Sequence, residues 1–112
     1  MPRGGRDVYI VKVGTEYRVR PATAAVQGQT QGNAKQNVVF RNATDDPVTI
    51  IFPTGTMDNA EDVKVVAKRA AVPFALADVA EVTAVSYMVF ASSGGALIPA
   101  KGESEPVIII DP

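Results

Sequence analysis

Histidine, cysteine and tryptophan are all absent from this 112-residue chain. Cysteine and histidine supply the thiolate and imidazole ligands of most zinc and copper sites, and most activated nucleophiles depend on one or the other. Their absence removes disulfide frameworks, most zinc chemistry and any hydrolytic triad built on a histidine base. With no tryptophan beside four Phe and three Tyr, the aromatic platforms of a sugar cleft are also missing. Zero cysteine leaves the redox compartment open, since such a chain folds equally well in oxidising or reducing surroundings. No run approaches the ~18 apolar residues that a membrane span needs. Residues 1–7 (MPRGGRD) contain no apolar core of a signal peptide. Nor is there an excess of one charge: 11 basic residues face 12 acidic ones, a net of −1. A non-specific nucleic-acid binder carries a clear basic excess, so nucleic acid is not an expected partner.

What is present is aliphatic, β-branched and interrupted at short intervals by turn residues. That pattern points to an all-β sandwich or barrel, not to alternating α/β units. The length suits a single domain, taken as residues 1–112 with residues 1–7 as a flexible arm. Strands are expected at residues 8–13 (VYIVKV) and 16–20 (EYRVR) around Gly14-Thr15. Residues 27–37 (QGQTQGNAKQN) read as a polar loop. Two further strands, 38–41 (VVFR) and 48–52 (VTIIF), flank a turn ending in Asp46-Pro47, where the proline disfavours helix in the residue before it. After a loop over 53–62, residues 63–67 (VKVVA) resume an extended pattern. Residues 68–81 (KRAAVPFALADVAE) admit one short helix, which Pro73 keeps from being long. Residues 82–91 (VTAVSYMVFA) form the longest strand candidate. Residues 92–101 read as a Ser-Ser-Gly-Gly turn and loop, and 106–110 (PVIII) as a last strand.

Residues 38–52, running Val38-Val-Phe-Arg-Asn42, a short turn, Pro47, then Val48-Thr-Ile-Ile-Phe52, resemble the first copper-ligand hairpin of the cupredoxin family. Tyr87-Met-Val89-Phe-Ala91 resembles the strand that carries the family's cysteine ligand. The resemblance covers about half the chain and implies an antiparallel Greek-key β-sandwich. It also implies that Val48 stands where the family has a ligand histidine and Ala91 where it has the cysteine. The loop that follows has glycine in place of the second histidine, and Met57 and Met88 lie outside it. Every ligand position is therefore replaced, and no copper or other cofactor is expected. An immunoglobulin-like sandwich shares the two packed sheets and remains the competing architecture. Cupredoxins are typically exported or periplasmic, which is the only lean the resemblance lends to localisation.

Other constellations are weaker. Ser92 or Ser93 with Lys101 could form a Ser–Lys dyad only if the lysine were desolvated, and Pro-Ala-Lys-Gly-Glu reads as exposed loop. Asp58, Glu61 and Asp62 could offer oxygen ligands to calcium, but they lack the spacing and sixth-position glycine of an EF-hand. Asp45-Asp46 reads as turn chemistry before Pro47. Asn42-Ala43-Thr44 fits the N-glycosylation pattern, although Asn42 is already accounted for by the turn.

A half-buried strand should be polar on one face, and several strands here are apolar on both. If they are neighbours, Ile51, Met88, Phe90, Ile108 and Ile110 make up an apolar outer face, which marks a partner, a ligand or a subunit interface. Internal cover by residues 68–81 would account for the same pattern. The expected function is that of a metal-free, non-catalytic structural or binding module acting through protein–protein contact or self-assembly. Two alternatives come from other classes. One is copper binding or electron transfer with ligands completed by a partner chain; the other is a small carboxylate-dependent enzyme.

Overall fold

The computed structural model describes residues 6–27, 38–56, 62–74, 76, 81–100 and 106–111, and among them every regular element is a β-strand. In chain order they are β1 Arg6–Val13, β2 Glu16–Arg20, β3 Thr23–Gln27, β4 Val38–Asn42, β5 Val48–Ile51, β6 Val63–Val66, β7 Ala71–Phe74, β8 Thr83–Ser86, β9 Met88–Ser93, β10 Ala96–Pro99 and β11 Val107–Asp111. None of the described segments is a helix long and apolar enough to cross a membrane.

The strands form three sheets, ordered β2-β1-β4-β7, β10-β9-β5-β6 and β3-β11-β8. Most pairings are antiparallel, but β1 runs parallel to β4 and β3 runs parallel to β11. The purely antiparallel expectation is corrected at those two pairs, because the chain crosses from one sheet to another before each partner arrives. Two tight hairpins follow from local chemistry. Val13 pairs with Glu16 across Gly14 (φ 64°), and Ser93 pairs with Ala96 across Gly94 and Gly95 (φ 57° and 82°). Gly94 and Gly95 supply the two positive φ values of a type I′ turn, and Gly14 the single one of a type II′ turn, without steric cost.

One apolar core joins the three sheets. Val8, Ile10, Val38, Phe40, Val48, Ile50, Val66, Ala91 and Ile108 are all fully buried in it. At its centre Phe40, Phe52, Phe74 and Tyr87 pack ring against ring, with Phe40 meeting Phe74 edge-on at 4.9 Å and Phe52 stacked on Tyr87 at 4.9 Å between centroids. Edge-to-face and offset pairs of this kind each add about 0.5–1.5 kcal/mol beyond burial.

Several boundaries differ from the sequence expectation. Arg6 and Asp7, assigned to the flexible arm, are the first two residues of β1 and pair with Val38 and Val39. The region given a possible helix holds a turn at Lys68-Arg69 and then β7, whose partner is β4. Docking of Ala71–Phe74 against β4 overrides helix propensity there, while residues 75 and 77–80 lie outside the described residues. The long strand over 82–91 is two strands, β8 and β9, separated only by Tyr87. Strands β3 and β10 had no counterpart in the expectation. Ala-rich TAAVQ offers no clean alternation, and Ala96–Pro99 hides behind its glycine turn.

Candidate functional site

Register decides which side chains share a face. In the β10-β9-β5-β6 sheet, Val48, Ile50, Val66, Val89 and Ala91 point into the core. Their neighbours point outward in cross-strand rows. Val63, Ile51 and Met88 form one row, and Val65, Thr49, Phe90 and Pro99 form the next, with Ser92 and Leu97 beyond. Val63, Val65, Met88 and Leu97 are 55%, 64%, 53% and 66% exposed, whereas Ile51 and Phe90 are half-buried. The alternation runs on through Tyr87 into β8, so exposed Ala84 and Ser86 continue the strip and pair with Ile109 and Val107 of β11. Thr23 and Ala25 of β3 close it on the far side. Among the described side chains, no outward position of the β10-β9-β5-β6 sheet carries a charge, while β11 ends on Asp111.

The opposite surface differs in kind. The outward positions of the β2-β1-β4-β7 sheet include Glu16, Arg18 and Arg20 on β2, Asp7 on β1 and Arg41 on β4. Arg18 pairs with Glu16 at 2.7 Å and Arg41 with Asp7 at 3.1 Å. Exposed pairs like these are worth little individually, but they keep that face hydrated. Tyr9 and Val13 of β1 are exposed among these charges.

Three of the six sheet edges are also guarded. Ala100 N–H donates to the Val89 carbonyl at 2.8 Å, so the alternate position, Pro99, turns a nitrogen without hydrogen to the free edge of β10. Pro73 occupies edge strand β7. Edge strand β6 turns Lys64 inward with its ammonium 5.0 Å from the centre of the Phe74 ring. Prolines, edge charges and inward lysines are devices that suppress strand addition.

The segments resembling copper-ligand strands do come together. Val48 and Ala91 are direct partners across β5 and β9, and both are completely buried. Their aliphatic side chains offer no donor atom, and Met88 lies on the other face of the sheet. Beside them is a polar knot. The Asn42 side-chain amide donates to the carbonyls of Asp46 (2.8 Å), Val66 (3.2 Å) and Ala67 (3.2 Å). Its Oδ1 accepts from the Thr44 N–H (3.0 Å) and hydroxyl (2.7 Å). The Tyr17 hydroxyl donates to the Asp46 carboxylate. Asn42 is 2% exposed, so the side chain in the glycosylation pattern is spent on holding the β4–β5 turn against β6. At the rim the Arg69 guanidinium hydrogen-bonds Asp45 at 3.0 Å and holds its carboxyl below the ordinary value of 3.8. In the core, burial pushes the Tyr87 phenol far up, and its hydroxyl has no hydrogen-bond partner.

No family model matches the chain, and no curated protein or solved structure matches it either.

Among the sequence-designated partner residues, Ile51 and Met88 are direct cross-strand neighbours and Phe90 lies one row away. Ile108 and Ile110 are corrected. They are 0% and 4% exposed and face the core, while Val107 and Ile109 take the outward positions of β11. An unbroken apolar run has no period from which to read parity, so only pairing with β3 and β8 assigns the sides. Val63, Val65, Leu97 and Pro99 were missed. The V-K-V alternation of β6 was visible, but it suggests an inward valine and an outward lysine, the reverse of what the edge adopts. Of the acidic cluster, Asp58 and Glu61 lie outside the described residues. Asp62 accepts from the Gly55 N–H at 3.2 Å and, through its carbonyl, from Phe52 N–H at 2.8 Å. The described residues contain no group of three or more acidic side chains arranged for a metal. Lys101 likewise lies outside them, while Ser92 and Ser93 belong to β9.

Proposed function

We propose that the chain is a non-catalytic binding module with a cupredoxin-like arrangement, working through the uncharged outer face of the β10-β9-β5-β6 sheet and its continuation over β8 and β11. The observation that carries the reading is the combination of exposure and neutrality on that face. Val63, Val65, Met88 and Leu97 are each more than half exposed, and none of their described cross-strand rows contains an ionised side chain. Contiguous apolar surface is costly to leave in water, at about 25 cal/mol per Å², and on a folded protein it marks a contact surface.

Two features favour the cupredoxin-like arrangement over other sandwiches. Val48 and Ala91 are adjacent across β5 and β9, as two ligands of one metal would have to be. The chain also passes between sheets at β2–β3, β4–β5 and β6–β7, so sheet neighbours are often distant in sequence, in the manner of a Greek key. The copper alternative with ligands from a partner chain is less favoured, since both positions are fully buried and a partner's side chain would have to displace core to reach them.

The test is binding of a fluorescent hydrophobic dye to the folded chain at low micromolar concentration. Binding should be strong for the native sequence and lost in a Val65→Lys, Leu97→Glu double variant whose thermal midpoint is unchanged. Absence of dye binding by the folded native chain would refute the reading.

A further inference from the structure

We infer that the occupant of this face is a second copy of the chain, packed sheet against sheet in a reversible two-fold dimer; this rests on the contact-face reading above. Three observations point to a copy instead of a foreign protein or peptide. The described outward rows of the β10-β9-β5-β6 sheet are uncharged, so two copies meet across them without like-charge repulsion, and those rows offer no charge for a partner to select on. The ionic surface of Glu16, Arg18, Asp7 and Arg41 lies on the far sheet, which orients the two copies back to back with their hydrated faces outward. Both edges of the β10-β9-β5-β6 sheet are obstructed, by Pro99 on β10 and inward Lys64 on β6, so an extended peptide adding as a strand meets no open ladder at that sheet.

Dimensions set the strength. From Ala84 to Ser92 at about 3.3 Å per residue, and three to four strands about 4.8 Å apart, the face measures roughly 25 by 15–20 Å, or about 400–500 Å² in projection. A standard interface takes about 800 Å² per partner, and those below about 1,200 Å² in total belong to transient contacts. The dimer is therefore a reversible one of the transient size class. A two-fold contact uses one patch twice. Because β9 runs through the middle of the strip, Met88 and Phe90 lie nearest the axis, each beside its own copy. Two sheets meeting face to face settle about 30° apart with side chains interdigitated across roughly 10 Å.

Sedimentation of the full chain between 5 and 500 µM reads the proposal directly. The mass should climb from 11.8 kDa towards twice that value. Phe90→Asp should shift the midpoint at least tenfold to higher concentration. Leu97→Glu, at an exposed position, does the same with no loss of thermal stability and keeps the test valid if Phe90→Asp unfolds. Since the chain has no cysteine, Met88→Cys can be joined to its copy by a short bismaleimide, while Arg18→Cys on the far sheet should not be. A native chain that stays at 11.8 kDa at 500 µM overturns the dimer, as does preferential cross-linking through Arg18→Cys. If that monomer still binds the hydrophobic dye, the face serves a foreign partner and only the present inference falls. If it binds no dye, the contact-face reading falls with it.

Discussion

Tyr87 sits at the one residue between β8 and β9, with its ring stacked on Phe52 and its hydroxyl buried and unpartnered. A polar group buried without a partner costs free energy that a hydrogen-for-hydroxyl replacement recovers. Tyr87→Phe should therefore leave stability near neutral pH unchanged or raise it slightly. The larger effect lies in alkali. Burial raises the folded-state pKa above the ordinary value of 10.0, so the folded chain holds its phenolic proton more tightly than the unfolded chain. The associated stability is complete below pH 10 and declines as pH rises past it, by up to about 1.4 kcal/mol per pH unit. Urea unfolding at pH 9 and pH 11 should give a shallower loss for Tyr87→Phe than for the native chain. Equal losses would mean that the phenol ionises freely in the fold. Asn42 stands at the other extreme of polar burial. Every polar atom of its side chain is used, which is why its position before the turn was legible as structure and its glycosylation pattern carries no meaning here.

Strand β6 illustrates how an element can contradict its own alternation. Val63 and Val65 are exposed, while Lys64 is half-buried against Phe74. An isolated amphipathic strand would turn the other way. At the edge of a sheet, an inward charge makes pairing with a further strand costly, since the incoming strand would help to bury it. Lys64→Val should keep the fold and remove that cost. In a Leu97→Glu background, where face contact is blocked, the added variant is expected to raise static light scattering steadily at 37 °C. Unchanged scattering would show that Pro73, Pro99 and the register alone protect the edges. Other elements were readable for opposite reasons. The Gly94-Gly95 hairpin and the Gly14 turn announce themselves by residues that alone accept positive φ cheaply. Strand β3, with small residues on both sides, has no local signature and exists because β11 runs parallel beside it.

Among the described residues, net charge near zero conceals a contrast between the ion-paired outer face of the β2-β1-β4-β7 sheet and the uncharged outer rows of the β10-β9-β5-β6 sheet. Contact through the neutral face has a distinct salt signature. Raising sodium chloride from 0.05 to 0.5 M shortens the Debye length severalfold yet should change the association constant by less than threefold, and ammonium sulfate should strengthen it. A tenfold loss with sodium chloride would instead assign association to Arg18, Arg20 and Arg41 on the far sheet.

Composition and short-range pattern alone determined that this protein is built of strands, where its tightest turns fall, that its core is aliphatic with a few phenylalanines, and that thiolate and imidazole chemistry is closed to it. Those properties reside in residue identities and in spacings of two to four positions, which a sequence carries without ambiguity. Tertiary structure alone decided which side of each apolar strand meets water. Ile108 and Val107 are chemically alike and adjacent, yet one is sealed in the core and the other lies on the outer face, because the pairing of β11 with β3 and β8 sets its parity. The same holds for the face itself. Leu97, Phe90, Thr49 and Val65 are scattered along the chain, and only cross-strand register gathers them into one surface. Side-chain alternation is local, but the choice between its two phases is made by partners far away in sequence.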